Sequence, residues 1–311
     1  MSQNLTPAQS SHADDEIDLR ELFSVIWQGK WLIIAVTAVF AVASVIYALS
    51  LPNIYKSEAL LAPVSDSSGM KVPGQLGGLA ALAGVNLGGG GSDKTSLALE
   101  ILKSREFIGR FIEQHDLFIP IMAAESWNRA TNSLQIDQDV YNSEKQQWVR
   151  KVKQPFQPKP SLLETHEEFM KLLNVSQDKE TGMVKLSIEH FSPVIAQEWV
   201  MWLVQAINNE MRERELSEAQ SSIAYLTSQL ETTTIADIRT MLFSLIEEQT
   251  KTVMLANVRA EYVFKTVDPA VVAEKKAKPA RALIIIIATM LGGLLATFIL
   301  LLRYFSTTRT S

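Results

Sequence analysis

Four histidines, His12, His115, His166 and His190, are the side chains best suited to proton transfer or metal ligation, and they are scattered along the chain. No two stand at ligand spacing and HExxH does not occur, so the histidines build no zinc site. The GxSxG elbow of a serine hydrolase is missing. Because the chain has no cysteine, a thiolate nucleophile, a disulfide and a Cys-based metal site are all excluded. The acidic pairs Asp14-Asp15 and Glu247-Glu248, the second beside Lys251, read as solvated faces and not as an acid–base pair. One stretch brushes against phosphate chemistry. Gly88 stands six residues before Lys94-Thr95, as in GxxxxGK[ST], but Asp93 takes the place of the second glycine. Its carboxylate would repel a phosphate, and no parallel-sheet alternation follows. The net charge of −5 offers no field for a polyanion, so nucleic acid is not a partner. The reading is a protein without catalytic residues, cofactor or metal.

With chemistry absent, two apolar stretches set the organisation. Ala282 to Leu302 holds 21 residues without a charge. At 1.5 Å per residue it makes roughly 31 Å of helix, about the thickness of a bilayer's hydrocarbon core. Trp31 to Leu51 is a second uncharged run of 21 residues, with Trp27 and Trp31 at one end and Tyr47 and Tyr55 near the other. That is an interfacial aromatic belt. A signal peptide fits less well, because the run is too long, starts late and lacks a small-x-small cleavage site. The expected organisation is therefore a tail at 1–30, a first span at 31–51, a domain at 52–281, a second span at 282–302 and a tail at 303–311. Both tails then lie on one side of the membrane. Arg20, Lys30, Arg303 and Arg309 mark the tails, while Lys56, Lys275, Lys276, Lys278 and Arg281 mark the domain side. Charge bias alone does not orient a chain whose loop is this long.

Residues 1–15 are polar and read as disordered. Ile17, Leu19, Leu22, Phe23, Ile26 and Trp27 then share one helical face behind an acidic start. This fits either an amphipathic helix lying on the membrane or a solvated helix leading into it. Tyr55 to Pro63 reads as a strand. Residues 69–91 carry nine glycines, which suits a loop. Ser96 to Leu117 reads as a helix, followed by a polar stretch with Trp127 and Trp148 and a loop with Pro155, Pro158 and Pro160. Ser161 and Glu164 are spaced as a capping box for a helix ending near Leu173. Gly182 to His190 alternates as a strand. Ser192-Pro193 opens a long helical region, about 193–257, with Ser as N-cap and Pro at the first position. Thr232 to Thr234 weaken it, with a fresh cap offered at Thr234 to Asp237. A continuous helix would span roughly 98 Å. Its apolar seam, Leu216, Ile223, Leu226, Leu230, Ile238, Leu242 and Leu245, is read as an oligomer seam, the other reading being burial by the chain's own shorter helices. Glu261 to Asp268 reads as the last strand. In the second span Ala288, Gly292 and Ala296 are spaced as small-xxx-small, with Gly293 widening the groove. That face is expected to dock either the first span or another membrane protein.

Several strings resemble the Wzz family of chain-length determinants, the polysaccharide co-polymerases of bacterial surface glycans. They are Asp15-Glu16-Ile17-Asp18-Leu19-Arg20-Glu21-Leu22 with Tyr55-Lys56-Ser57-Glu58-Ala59, then Leu99-Glu100-Ile101-Leu102-Lys103-Ser104-Arg105, then Ala236-Asp237-Ile238-Arg239 through Leu245-Ile246-Glu247 to Val267-Asp268-Pro269-Ala270, Lys278-Pro279-Ala280-Arg281 and Gly292-Gly293. Their order and flanking spans cover nearly the whole chain. The resemblance implies an α+β fold in which two transmembrane helices flank a periplasmic domain with a small membrane-proximal sheet and a long extended helix. It further implies cytoplasmic termini at the bacterial inner membrane and a ring-like homo-oligomer. The partners it implies are a membrane polysaccharide polymerase, the growing lipid-linked glycan and the bilayer. The implied function is setting the modal length of lipopolysaccharide O-antigen or a related glycan. The family's proline-rich approach to the second span is thin here, with Ala273 between Pro269 and Pro279. Relatives fused to tyrosine kinases are a near resemblance, but the nine residues after the second span leave room for neither a kinase nor a sensor's signalling domain. A polysaccharide export adaptor bridging membrane and periplasm is the alternative reading.

Overall fold

The computed structural model describes residues 25–64 and 90–308. The acidic approach to the first span (14–24) and most of the glycine-rich stretch lie outside the described residues. Contacts divide the chain into two units, Met1–Leu51 with Pro279–Ser311, and Pro52–Lys278. The first holds two helices, α1 (Lys30–Ser50) and, last in the chain, α8 (Arg281–Thr308). Both are long and apolar enough to cross a membrane.

The second unit is α+β. Its four-stranded antiparallel sheet runs in the order β6 (Leu173–Gln177), β7 (Val184–His190), β1 (Tyr55–Pro63), β8 (Phe264–Asp268). Register follows burial. Ser57, Ala59 and Leu61 of β1 are buried, and their partners are Ile188, Leu186 and Val184 of β7, buried as well. A slip by one residue would turn this row away from the core, so alternation pins the pairing. Two-stranded ribbons, β2 (Ala124–Asn128) with β3 (Ser133–Ile136) and β4 (Tyr141–Asn142) with β5 (Gln147–Trp148), fill the polar stretch that holds Trp127 and Trp148.

The buried face of the sheet is covered by helices. α2 (Gly90–Lys103) and α3 (Arg105–Gln114) are separate helices where the sequence suggests one. Ser104 takes an extended conformation, and its hydroxyl accepts the N–H of Phe107, so the same residue breaks one helix and caps the next. α4 (Phe118–Met122) and α5 (Leu162–Leu172) follow. α5 opens on the complete capping box of Ser161 and Glu164. Ser192 caps α6 (Pro193–Thr232) by accepting the N–H of Ile195, with Pro193 in the first turn. A row of rings runs through the core at centroid spacings of 5.0, 5.7, 5.8, 4.9 and 4.4 Å: His190, Trp199, Phe169, Phe111, His115, Trp202.

The long helical region breaks at the threonines that weaken it: α6 ends at Thr232 and α7 (Ala236–Val258) packs back along it. Thr234 does not cap α7. The N-cap is Ile235, without a side-chain cap, and Arg239 closes the turn by donating from Nη1 to the carbonyls of Leu230 (2.8 Å) and Thr233 (3.2 Å). Those are carbonyls that a helix C-terminus leaves without partners. The return is demanded by Asn208. Its Oδ1 accepts the N–H groups of Tyr262, Val263 and Phe264 at 3.0, 2.9 and 3.0 Å. Its Nδ2 donates to the carbonyls of Val204 and Phe264, both at 3.1 Å. From Asn208 to Thr232 the chain rises about 36 Å, so α7 must descend as far for residues 262–264 to meet Asn208.

A second polar clamp holds the proline loop. Arg150, little exposed, donates to the carbonyls of Pro158 and Gln157 and to Glu164 Oε1 at 2.7, 2.9 and 2.8 Å. Burial pushes the Glu164 carboxyl up, but hydrogen bonds from Ser161 and the charge and hydrogen bond of Arg150 outweigh it, leaving it below its ordinary value. The clamp's stability is therefore fully present above the unfolded-state value of about 4.3 and is lost as pH falls through the lower folded value. A Glu164→Gln variant should lose stability at neutral pH and show a shallower acid dependence than the parent in thermal unfolding in detergent. Asn208→Ala leaves the N–H groups of Tyr262, Val263 and Phe264, the last two buried, without their acceptor and should cost about 3 kcal/mol, read as a lower denaturation midpoint by tryptophan fluorescence.

Candidate functional site

Among the described residues the histidines stand apart, each in its own surroundings. Ser192 N–H donates to Nδ1 of His190 at 3.1 Å, which places the ring proton on Nε2, 3.0 Å from the carbonyl oxygen of Pro120. Burial pushes the His190 pKa down, so the ring is neutral and joins the α4 turn to the start of α6. His115 lies parallel to Trp202, at 4.4 Å and 8°, and desolvation lowers its pKa too. His166 sits half-buried on α5 with neither ring nitrogen hydrogen-bonded. His12 lies outside the described residues. Among the described residues no three His, Asp or Glu are grouped to hold a metal ion. Lys94, the would-be phosphate lysine, spans from α2 to α6, where Nζ meets Glu215 Oε1 at 2.9 Å. That engagement gives it a structural partner in place of a nucleotide.

What the structure does assemble is a helix pair. Ala288, Gly292, Gly293 and Ala296 fall on one face of α8, with Gly292 and Ala296 buried. Across from them stand Thr37 and Phe40 of α1. A Cβ added at Gly292 would lie 2.6 Å from Phe40 Cβ, closer than carbon atoms approach, and one at Gly293 would lie 3.6 Å from Thr37 Oγ1. Gly29 similarly leaves no room for a Cβ beside Leu300. With Arg281 Nη2 donating to the Leu51 carbonyl at 3.1 Å at the other end, the two helices run antiparallel in a fixed register. Close backbone approach is how apolar helices gain dispersion contact where lipid competes equally for their side chains. Within this chain, the helix lying against this face is α1.

The proposed oligomer seam divides. Leu216, Ile223, Leu226 and Leu230 form a half-buried stripe on α6, and Leu242 on α7 is buried. α7 is the neighbour along this part of α6, so the chain itself takes up much of the seam. Ile238 and Leu245 stay 40% and 38% exposed, in line with Met241 on the same face of α7. Sequence reasoning missed Asn208 and Arg150. An asparagine among Ile207, Glu210 and Met211 carries no periodic signal, and only its four tertiary hydrogen bonds reveal it.

Comparison with known proteins follows this geometry. Residues 15–115 match the family model described as "Wzz: Chain length determinant protein", and residues 223–305 match "GNVR: G-rich domain on putative tyrosine kinase". A solved "full-length bacterial polysaccharide co-polymerase" is similar over 94% of this chain and 99% of its own, with 11% identity and a TM-score of 0.40. A fragment of WzzB, a polysaccharide co-polymerase from Salmonella Typhimurium, is similar over 73% of this chain and 100% of its own, with 13% identity and a TM-score of 0.31. The chain thus pairs a chain length determinant domain with two helices long and apolar enough to cross a membrane. Over residues 15–115 the chain is similar to the Wzz family of chain length determinants.

The α1–α8 register has a direct test. With cysteines supplied by Thr37→Cys and Gly293→Cys in this otherwise cysteine-free chain, oxidation should cross-link the helices within one molecule. Adding Gly292→Leu should cut the cross-linked fraction several-fold, and adding Phe40→Ala to that variant should restore part of it. Undiminished cross-linking with the leucine substitution would dismiss the close approach at Gly292.

Proposed function

We propose that this protein sets the modal length of a bacterial surface polysaccharide, the O-antigen of lipopolysaccharide or a related glycan. In this reading it acts without catalysis, as an inner-membrane homo-oligomer beside the polymerase. The observation that carries the reading is the match of residues 15–115, which takes in α1, β1 and α2–α3, to the chain length determinant family. The fold is compatible with it: an α+β unit carrying a helical hairpin, and two helices long and apolar enough to cross a membrane.

The 52–278 unit lies in the periplasm in this proposal, with both termini in the cytoplasm. Self-association uses the exposed stripe Ile238, Met241 and Leu245 on α7, supported by large side chains that α6 leaves uncovered. Monomeric soluble proteins seldom expose apolar rows of this kind without a partner. The growing lipid-linked glycan and the polymerase are the remaining partners.

The test is a gel ladder of surface polysaccharide from cells with and without the gene. A bell-shaped cluster of lengths should collapse to a steadily decaying ladder on deletion and return on complementation. An unchanged ladder for every surface glycan would overturn the reading, and loss of all polymer would replace it with export.

A further inference from the structure

The end of the sheet nearest the spans in the chain carries a surface to which the proposed function assigns no part. Trp127 on β2 meets Tyr55 of β1 edge-to-face, with centroids 5.5 Å apart. The indole N–H is held by Asn132 Oδ1 at 3.1 Å, across the β2–β3 ribbon. Beside the pair opens a recess of about 410 Å³, bounded also by Arg129, Val194, Val272 and Glu274. Arg129 is exposed on the ribbon's turn, and Lys275 and Lys276 are exposed just after the recess. None of the three makes an ion pair among the described residues, whereas the neighbouring Lys278 is neutralised by Glu189 at 2.6 Å. Glu274 is the opposing carboxylate, so the patch keeps an excess of positive charge.

Chain connectivity limits how far this patch strays from the bilayer. Tyr55 follows Ser50, the last residue of α1, by five residues, and Lys276 precedes Arg281, the first residue of α8, by the same number. Fully extended, either segment spans about 17 Å. The bridge between Ile54 and Lys278 ties the two segments to each other. Tyrosine and tryptophan settle at headgroup level because each joins an apolar ring to a polar tip, and lysine and arginine near the surface are drawn to acidic lipids.

We propose that the recess beside Tyr55 and Trp127, with Arg129, Lys275 and Lys276, rests on the bilayer and takes up the headgroups of acidic phospholipids. The proposal rests on α1 and α8 being membrane spans. It does not depend on which side of the membrane the unit occupies.

The full chain in nanodiscs tests it. Because the protein has no cysteine, Ala130→Cys carries a single fluorophore beside Arg129. Quenching by headgroup-spin-labelled lipid is compared between phosphatidylcholine alone and its mixture with phosphatidylglycerol. Quenching should be about twofold stronger with the acidic lipid, and the excess should fade as salt rises. Arg129→Glu with Lys275→Glu and Lys276→Glu should abolish the excess while leaving thermal unfolding unchanged. Equal quenching in both lipids, or an excess indifferent to salt, would overturn the proposal without recourse to the variant. A second label at Val39→Cys, read with acyl-chain quenchers, isolates the premise. Quenching there without an effect at Ala130→Cys sinks the docking alone, and none at either position sinks the spans as well.

Discussion

The ladder between β1 and β8 joins the first strand of the soluble unit to its last. Leu61 faces Thr266 and Ala62 faces Lys265, and the register shifts between Leu60 and Leu61. β1 follows directly from α1, and β8 leads, through a short connection, to α8. A chain anchored at both ends must bring its departure and its return close together, and pairing those two strands does so with main-chain hydrogen bonds that no side chain has to supply. Everything between them, from α2 to α7, is an excursion whose length the pairing does not limit. The helical hairpin can therefore extend well beyond the sheet while its root stays fixed by Asn208, which satisfies three N–H groups of the incoming strand at once.

That arrangement explains the division of labour between apolar and polar contacts. The core proper lies between sheet and helices, with Leu61, Ile108, Ile112, Phe169, Leu186, Ile188, Trp199, Leu203 and Phe264 fully buried or nearly so. Beyond Met211 the hairpin has little core. Its inner stripe is half-buried, and Ala219 and Ala256, both buried, let the two helices lie close. Stiffness there comes from helix geometry and from the Arg239 contacts at the turn.

How much of this was legible in the sequence depended on the range of the interaction. Local signals read true: the Ser161–Glu164 box and the Ser192-Pro193 start stand where their spacing put them, because a cap is decided within four residues. The α+β class and the two apolar helices were legible for the same reason, being matters of periodicity and length. Failures came where a distant contact decided. Ser104 is the exception, a local cap masked by apolar positions that keep one helical spacing on both sides of it, its hydroxyl accepting the N–H of Phe107. β6 follows α5 without any turn residue, because pairing with β7 makes it a strand. The apolar seam kept its period of three and four through the Thr232–Thr234 break, so sequence alone could not say that its two halves face each other. Of the residues singled out in the membrane, Gly292 could be recognised by spacing, but its neighbour Phe40 could not, since a phenylalanine in an apolar span is unremarkable by composition. Asn208 gave no signal at all.

The position of β1 in the middle of the sheet also sets an order of assembly. Made early, β1 first finds β7, which reaches it once roughly the first two-thirds of the chain is made, and β6 joins β7 across a short connection. The other edge of β1 stays open through the synthesis of α6 and α7, because its partner β8 is nearly the last segment before α8. Long-range pairing of this kind is slow, and an open edge invites other strands. Sheet closure and insertion of the second helix are thus bound together in time: the soluble unit is completed only as the chain returns to the bilayer.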